Sequence, residues 1–237
     1  MNNTFWTSPF TPTAYINGAP LSSFNALLQD FSVGAVEVTS SRWQGVNRTN
    51  FTLLKQQFGL RSISLSVAVF GDTYKDAATM LSRMTGALWG VVDLTLPDGY
   101  SYFCTLDGAG DAPERVGPGT QQTGLLNTFT LTGYRHDPML TTTGPTVYCP
   151  STTPQTDCIL SVTVGAAADS YTLGGATFPN VTQGEQLVFD GINKRILRNG
   201  APGAAGVEWI NFPYLTPGEN AVSAADPVTV QFYPCYM

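Results

Sequence analysis

Residues 62–70 read SISLSVAVF. Ile63, Leu65, Val67 and Val69 fall on one side of this run, and Ser62, Ser64, Ser66 and Ala68 on the other. A sustained period of two is the pattern of a β-strand with one buried face. The alternation returns in LLNTFTLTGY (125–134), where Leu125, Phe129 and Leu131 oppose Thr128, Thr130 and Thr132. Shorter strands are readable at 33–39, 91–96, 100–106, 159–164, 186–190, 194–198, 207–212 and 228–233. Turn signals separate them: Pro97-Asp98-Gly99, Asp190-Gly191, Asn199-Gly200 and Pro217-Gly218. The chain is expected to be mainly β.

One stretch breaks the pattern. In GDTYKDAATMLSRMTGALWG (71–90), Ala77, Met80, Leu81, Met84 and Leu88 follow a helical stripe. Asp72 or Thr73 can cap its start and Gly90 can end it, which predicts a helix over about 73–89. An apolar stripe of this kind packs on a sheet and carries no chemistry.

Of the 237 residues 43% are hydrophobic, enough for real cores, while only 12% are charged, about half the usual share. Low charge predicts a surface covered by neighbours. The net charge of −6 with no basic run argues against nucleic acid and anionic membranes as partners. No apolar run is long enough to span a bilayer. The opening MNNTFWTSPFTPTAY has no lysine or arginine and no apolar core, so it is not read as a secretory signal. Cys149 and Cys158 bracket PSTTPQTD and can close a small loop, while Cys104 and Cys235 have no evident partner. The favoured reading is four reduced thiols in a protein made in a cytoplasm. The sequons at Asn47, Asn50 and Asn180 are then chance matches.

The Thr/Pro-rich stretch 136–157 lacks alternation and divides the charges. Residues 1–140 hold 8 basic and 10 acidic side chains, and 141–237 hold 3 and 7. The expected organisation is a β domain over 1–140, a linker over 141–157 and a smaller β-sandwich over 158–237.

Catalytic signals are weak throughout. The single histidine, His136, follows no G-x-S-x-G sequence and reads as a satisfied turn residue. The cysteines are too scattered for a zinc site. VGPGTQQTG (116–124) lacks the lysine and helix of a phosphate loop. Among the carboxylates, Asp93 and Asp98 lie in VVDLTLPDGY, and Asp107 and Asp111 in LDGAGD. Asp98 is explained by its turn, and the second group falls short of a calcium loop. A paired-acid glycosidase site is not indicated. Catalytic, metal and cofactor residues are therefore expected to be none. In FPYLTPGENAV (212–222), Pro217 and Gly218 suit a turn with glycine at positive φ, and Asn220 can satisfy nearby backbone. Pro217, Gly218 and Asn220 read as a structural corner, leaving Glu219 without a role.

The segment RWQGVNRTNFTLLKQQFGL (42–60) is poorly patterned for a core of its own. Trp43, Phe51, Leu53 and Phe58 are expected on a hairpin that lies on a neighbouring subunit. The alternative is an ordinary hairpin within its own domain.

LVFDGINKRILRNG (187–200), INFPYLTPGENAV (210–222) and VTVQFYPCYM (228–237) together resemble the last domain of siphophage distal tail proteins, the Dit family. The positions that carry this are Asp190, Asn199, Gly200, Pro213, Leu215, Pro217, Gly218 and Asn220. The run from Phe24 to Gly71, the helix and LTLPDGYSYFCTL (94–106) resemble the family's N-terminal domain. The resemblance implies a virion protein at the distal end of the tail, and no enzyme. It implies a homo-hexameric ring between the tail tube protein and the tail-tip or tail-associated hub protein. The N-terminal domain would form the ring through a belt-like β-hairpin, and the C-terminal domain would be a galectin-like β-sandwich. Such a shape does not confer sugar binding. A carbohydrate-binding sandwich contacting host glycan is the alternative, with only Trp209 and scattered tyrosines to support it.

Overall fold

The computed structural model describes residues 13–44, 49–110, 113–116 and 123–237. The opening twelve residues, the sequon at Asn47, Asp111 and positions 117–122 of the glycine-containing loop lie outside them. The chain divides into two compact units, Met1–Arg135 and His136–Met237. It is mainly β with one α-helix among the described residues.

In the first unit the strands are β1 (Ala26–Val33), β2 (Val38–Gln44), β3 (Phe51–Phe58) and β4 (Arg61–Gly71). Helix α1 (Tyr74–Ala87) follows, then β5 (Val91–Thr95), β6 (Ser101–Gly108) and β7 (Thr123–His136). These run β5-β6-β7-β4-β1 within a larger sheet, in which the short strand Tyr15–Ile16 pairs with β5. Ile63, Leu65 and Val69 of β4 pair with Leu131, Phe129 and Leu125 of β7, so the two apolar faces read from the sequence coincide. All six side chains are fully buried. Met84 and Leu88 join the same apolar cluster, with Met80 and Leu81 packed against it.

Thr73, not Asp72, caps α1. Its hydroxyl accepts from the Asp76 N–H at 3.2 Å, and its own N–H donates to the Asp76 carboxylate at 3.1 Å. The turn from β4 into α1 is tight. A Cβ on Gly71 would lie 2.3 Å from the Ala77 nitrogen, so no larger residue fits there.

The second unit holds β8 (Leu140–Thr143), β9 (Thr146–Cys149), β10 (Thr156–Thr163), β11 (Ala168–Leu173) and β12 (Ala176–Val181). After these come β13 (Gln186–Asp190), β14 (Arg195–Arg198), β15 (Gly218–Ala221) and β16 (Thr229–Phe232). The antiparallel order β8-β16-β10-β13-β14 makes the main sheet, and β9–β15 and β11–β12 are two-stranded ribbons. Sheet and ribbons share one apolar cluster that includes Val147, Leu160, Phe178, Phe189 and Phe232.

The segment 141–157 differs from the linker expectation. Most of β8, all of β9 and the first residues of β10 lie within it. Strand β8 sits at the sheet edge and is largely exposed, so its threonines need no apolar partner face. In β9 the alternation is present but brief: Val147 and Cys149 are buried between exposed Thr146 and Tyr148. The expected strand at 33–39 is two strands separated at residues 34–37. The run 207–212 makes only a single bridge, from Glu208 to Thr177.

Candidate interaction hairpin and C-terminal corner

Strands β2 and β3 form a two-stranded sheet of their own among the described residues. The ribbon extends the β1–β4 ladder. Val33 pairs with Ile63, the Gly34 N–H donates to the Ser62 carbonyl at 2.7 Å, and the Gly59 N–H donates to the Glu37 carbonyl at 2.6 Å. Val38 then pairs with Phe58. Every residue of β3 is exposed. Trp43 and Phe51 are each 57% exposed, Leu53 48% and Phe58 44%. An isolated two-stranded ribbon is marginal in water, and this one leaves its large apolar side chains bare.

The register contains a β-bulge. Ser41 pairs with Lys55 and Arg42 with Leu53, leaving Leu54 as the extra residue. Paired residues share a face, and faces alternate along β2. One face therefore holds Val38, Ser40, Arg42 and Gln44 with Phe58, Gln56, Leu53 and Phe51. The other holds Thr39, Ser41 and Trp43 with Gln57, Lys55 and Thr52. Three of the four expected contact residues, Phe51, Leu53 and Phe58, are thus brought together, and Trp43 is turned away from them. The Arg42 guanidinium lies over the Phe51 ring, 5.1 Å from its centroid, a diagonal contact on the face they share.

The corner at Pro217-Gly218-Glu219-Asn220 is a closed hydrogen-bond unit. Gly218 has φ of +94°. The Asn220 Oδ1 accepts from the Thr216 N–H at 2.8 Å and its hydroxyl at 3.0 Å. Its Nδ2 donates to the carbonyls of Thr216 at 2.7 Å and Gly218 at 3.0 Å. The amide's bonding capacity is fully used, and Asn220 pairs with Val147 of β9. Glu219 is exposed. Gly218→Val should cost roughly 1 kcal/mol or more in strain at positive φ, and Asn220→Ala a similar amount in lost bonds. Glu219→Gln should leave melting unchanged. Thermal unfolding of the three variants checks this, and equal destabilisation by all three would remove the corner reading.

The other candidate residues take structural places. Asp98 accepts from the Tyr100 N–H at 3.0 Å and the Tyr102 hydroxyl at 3.2 Å. Burial, reinforced by the Asp98 carboxylate, pushes the Tyr102 phenol up to about 12. Asp107 accepts from the Thr132 hydroxyl. His136 is buried, with Nδ1 3.0 Å from the Asp137 carbonyl and its ring edge-on to Tyr233. The four cysteines are buried free thiols. Burial pushes Cys104, Cys158 and Cys235 up to about 12, far from nucleophilic character. No group of three or more His, Cys, Asp and Glu side chains able to hold a metal occurs among the described residues.

Two buried carboxylates carry the polar framework of the second unit, and sequence reasoning passed over their role. Asp190 accepts from the Asn193 N–H and side-chain amide, each at 2.9 Å, and from Arg195 Nε at 2.8 Å. Burial pushes its carboxyl up, but these donors outweigh it and hold the group below the usual range. Glu185 receives Arg198 Nε at 2.6 Å and the Thr182 N–H at 3.0 Å. Arg198 first and Thr182 second hold its carboxyl low against burial. The available signal was the loop DGINKR, where an acid closes its own turn on the base five residues on.

No family model matches the sequence, and no curated protein does. Solved structures do. The crystal structure of the SPP1 Dit protein, described as a paradigm of the hub adsorption apparatus in phages infecting Gram-positive bacteria, superposes with a TM-score of 0.70. The match spans 95% of this chain and 99% of that one at 14% identity. The chain has the fold of the SPP1 Dit protein. The phage P2 baseplate in its activated conformation also matches over 94% of this chain and 97% of that one. Its calcium form gives a TM-score of 0.56 at 8% identity, and its strontium form 0.54 at 7%. Within the Dit fold, the positions that carried the sequence resemblance do structural work. Asn199 and Gly200, at φ of +49° and +77°, make the tight turn after β14, and Asn199 Oδ1 accepts from the Gln186 N–H at 2.9 Å.

Proposed function

We propose that this chain is a structural virion protein: a subunit of a hexameric hub ring at the distal end of a long phage tail. The observation that carries this reading is the Dit fold over 95% of the chain. The ring joins the tail tube to the tail-tip or tail-associated proteins. The first unit forms the ring and its β2–β3 hairpin embraces the next subunit. The second unit is a galectin-like sandwich on the ring's outside. The bare ribbon supports this assignment, because its exposed aromatics are of use only against another surface.

Light scattering at micromolar protein tests the assembly. The expected mass is about six times the 25.3 kDa subunit. A monomer in every buffer, with and without a tail-tube or tail-tip partner, would overturn the ring.

The second reading, glycan binding by the C-terminal unit, has one observation in its favour. A cavity of about 450 Å³ is lined by Ile210, Phe212 and Tyr214, with Trp209 packed against Phe212. A glycan array with the purified protein separates the two roles.

A further inference from the structure

We infer that the β2–β3 hairpin docks by one face only, that of Val38, Phe51, Leu53 and Phe58, onto an acidic surface of a second copy of this chain. The Trp43 and Lys55 face is left turned outward. This rests on reading the hairpin as the intersubunit element and specifies how it engages.

The bulge at Leu54 is the first argument. Without that extra residue in the count, unbroken alternation along β3 would put Phe51 and Leu53 on the face opposite Phe58. With it, the register sets all three on one side, joined by Val38 from β2. Bulges re-aim side chains where a surface has a task. Here the result is an apolar stripe along the length of the ribbon, with 44–57% of each of the four side chains exposed. The paired positions of the opposite face offer one large apolar side chain, Trp43, among Thr39, Ser41, Thr52, Lys55 and Gln57, and the exposed Leu54 stands outside the paired register.

Charge identifies the occupant. Residues 38–58 contain Arg42, Arg48 and Lys55 and no carboxylate, a charge of +3. The whole chain carries −6, so the remainder carries −9. An apolar stripe on a basic arm, attached to an acidic body, is complementary to the body of an identical copy. Such a contact joins two different surfaces and is heterologous, the kind that closes into rings. Arg42 belongs to the docking face. It is stacked on Phe51, so its charge arrives with the apolar stripe, and arginine and aromatics are the residue types enriched where interfaces are well packed.

Two neighbouring positions on β3 test the inference. Leu53 is on the docking face and Thr52 on the other, and both are exposed. Leu53→Asp should abolish the oligomer in light scattering at micromolar protein, leaving a monomer mass. Thr52→Asp should retain the full ring mass. Arg42→Glu, which reverses the charge stacked on Phe51, should dissociate the ring as Leu53→Asp does. A cooperative melting transition in each variant shows that the subunit is still folded. Equal effects at Leu53 and Thr52, or dissociation by Thr52→Asp alone, would overturn the one-sided docking. A wild-type protein that never oligomerises would instead remove the ring reading itself.

Discussion

Replacing Phe51 and Phe58 together by serine should dissociate the proposed ring into monomers that still unfold cooperatively, at a midpoint lowered only by the loss of subunit contacts. Both side chains are exposed in the single chain, so their loss removes nothing from either apolar cluster. At an interface, each buried aromatic anchor contributes on the order of 2 kcal/mol or more. Removing two from each contact then weakens it by about 4 kcal/mol, roughly a thousandfold in the dissociation constant. A ring repeats the contact between every pair of neighbours, which compounds the loss. Trp43→Ser is the contrast: on the opposite face, it should leave the mass unchanged. Loss of monomer melting in the double variant would place the aromatics inside the subunit's own core and sink the intersubunit assignment.

The contrast between these residues shows where sequence reading succeeds. Burial on one face writes itself into a strand as alternation, so β4 and β7 were legible from Ile63 to Val69 and from Leu125 to Leu131. Their shared ladder follows from the match of the two apolar faces. Helix α1 was legible from its stripe, and its cap was narrowed to two residues. Edge strands are a different matter. Thr141 and Thr143 of β8 face solvent on one side of the sheet's last ladder, so nothing in their chemistry separates a strand from a linker. The tight approach of Gly71 to Ala77 is equally silent, because a glycine records permission and not purpose.

The candidate site was partly legible. That Phe51, Leu53 and Phe58 lack a core of their own could be read from the poor patterning of 42–60. Which of them share a face could not, because that depends on a one-residue shift between Ser41 and Arg42 that only the pairing reveals. At the corner the signal is local: Gly218 has positive φ, and the Asn220 amide bonds Thr216 and Gly218 two to four residues away. The buried carboxylates were not read as such. Glu185 meets Arg198 across thirteen positions of chain, and a lone acid beside Gly184 looks like any solvated turn.

Asp190→Ala should destabilise the C-terminal unit more than any change at the corner. The carboxylate is 1% exposed and ends β13 opposite Ile159. It accepts three hydrogen bonds, from the Asn193 N–H, the Asn193 amide and Arg195. Arg195 is exposed and regains water when its partner is lost, so the penalty falls mainly on the turn that Asn193 holds. Bonds to a charged acceptor contribute about 1.5 kcal/mol or more each, so the loss should total about 3 kcal/mol. For a unit of this size that lowers the melting midpoint by about 10 °C or more. Asp190→Asn should recover little, because its amide NH2 confronts donors at a position where the carboxylate accepted. The pH dependence gives an independent check. Asp190 and Glu185 both have folded-state values held below the usual range, so their contribution is fully present above the unfolded values near pH 4. It is lost as the pH falls through the lower folded values. Wild type should therefore lose stability steeply below about pH 4, and Asp190→Asn should do so on a shallower slope. Parallel acid limbs in the two proteins would show that Asp190 is protonated as easily in the folded chain as in the unfolded one, and its place in the framework would be lost.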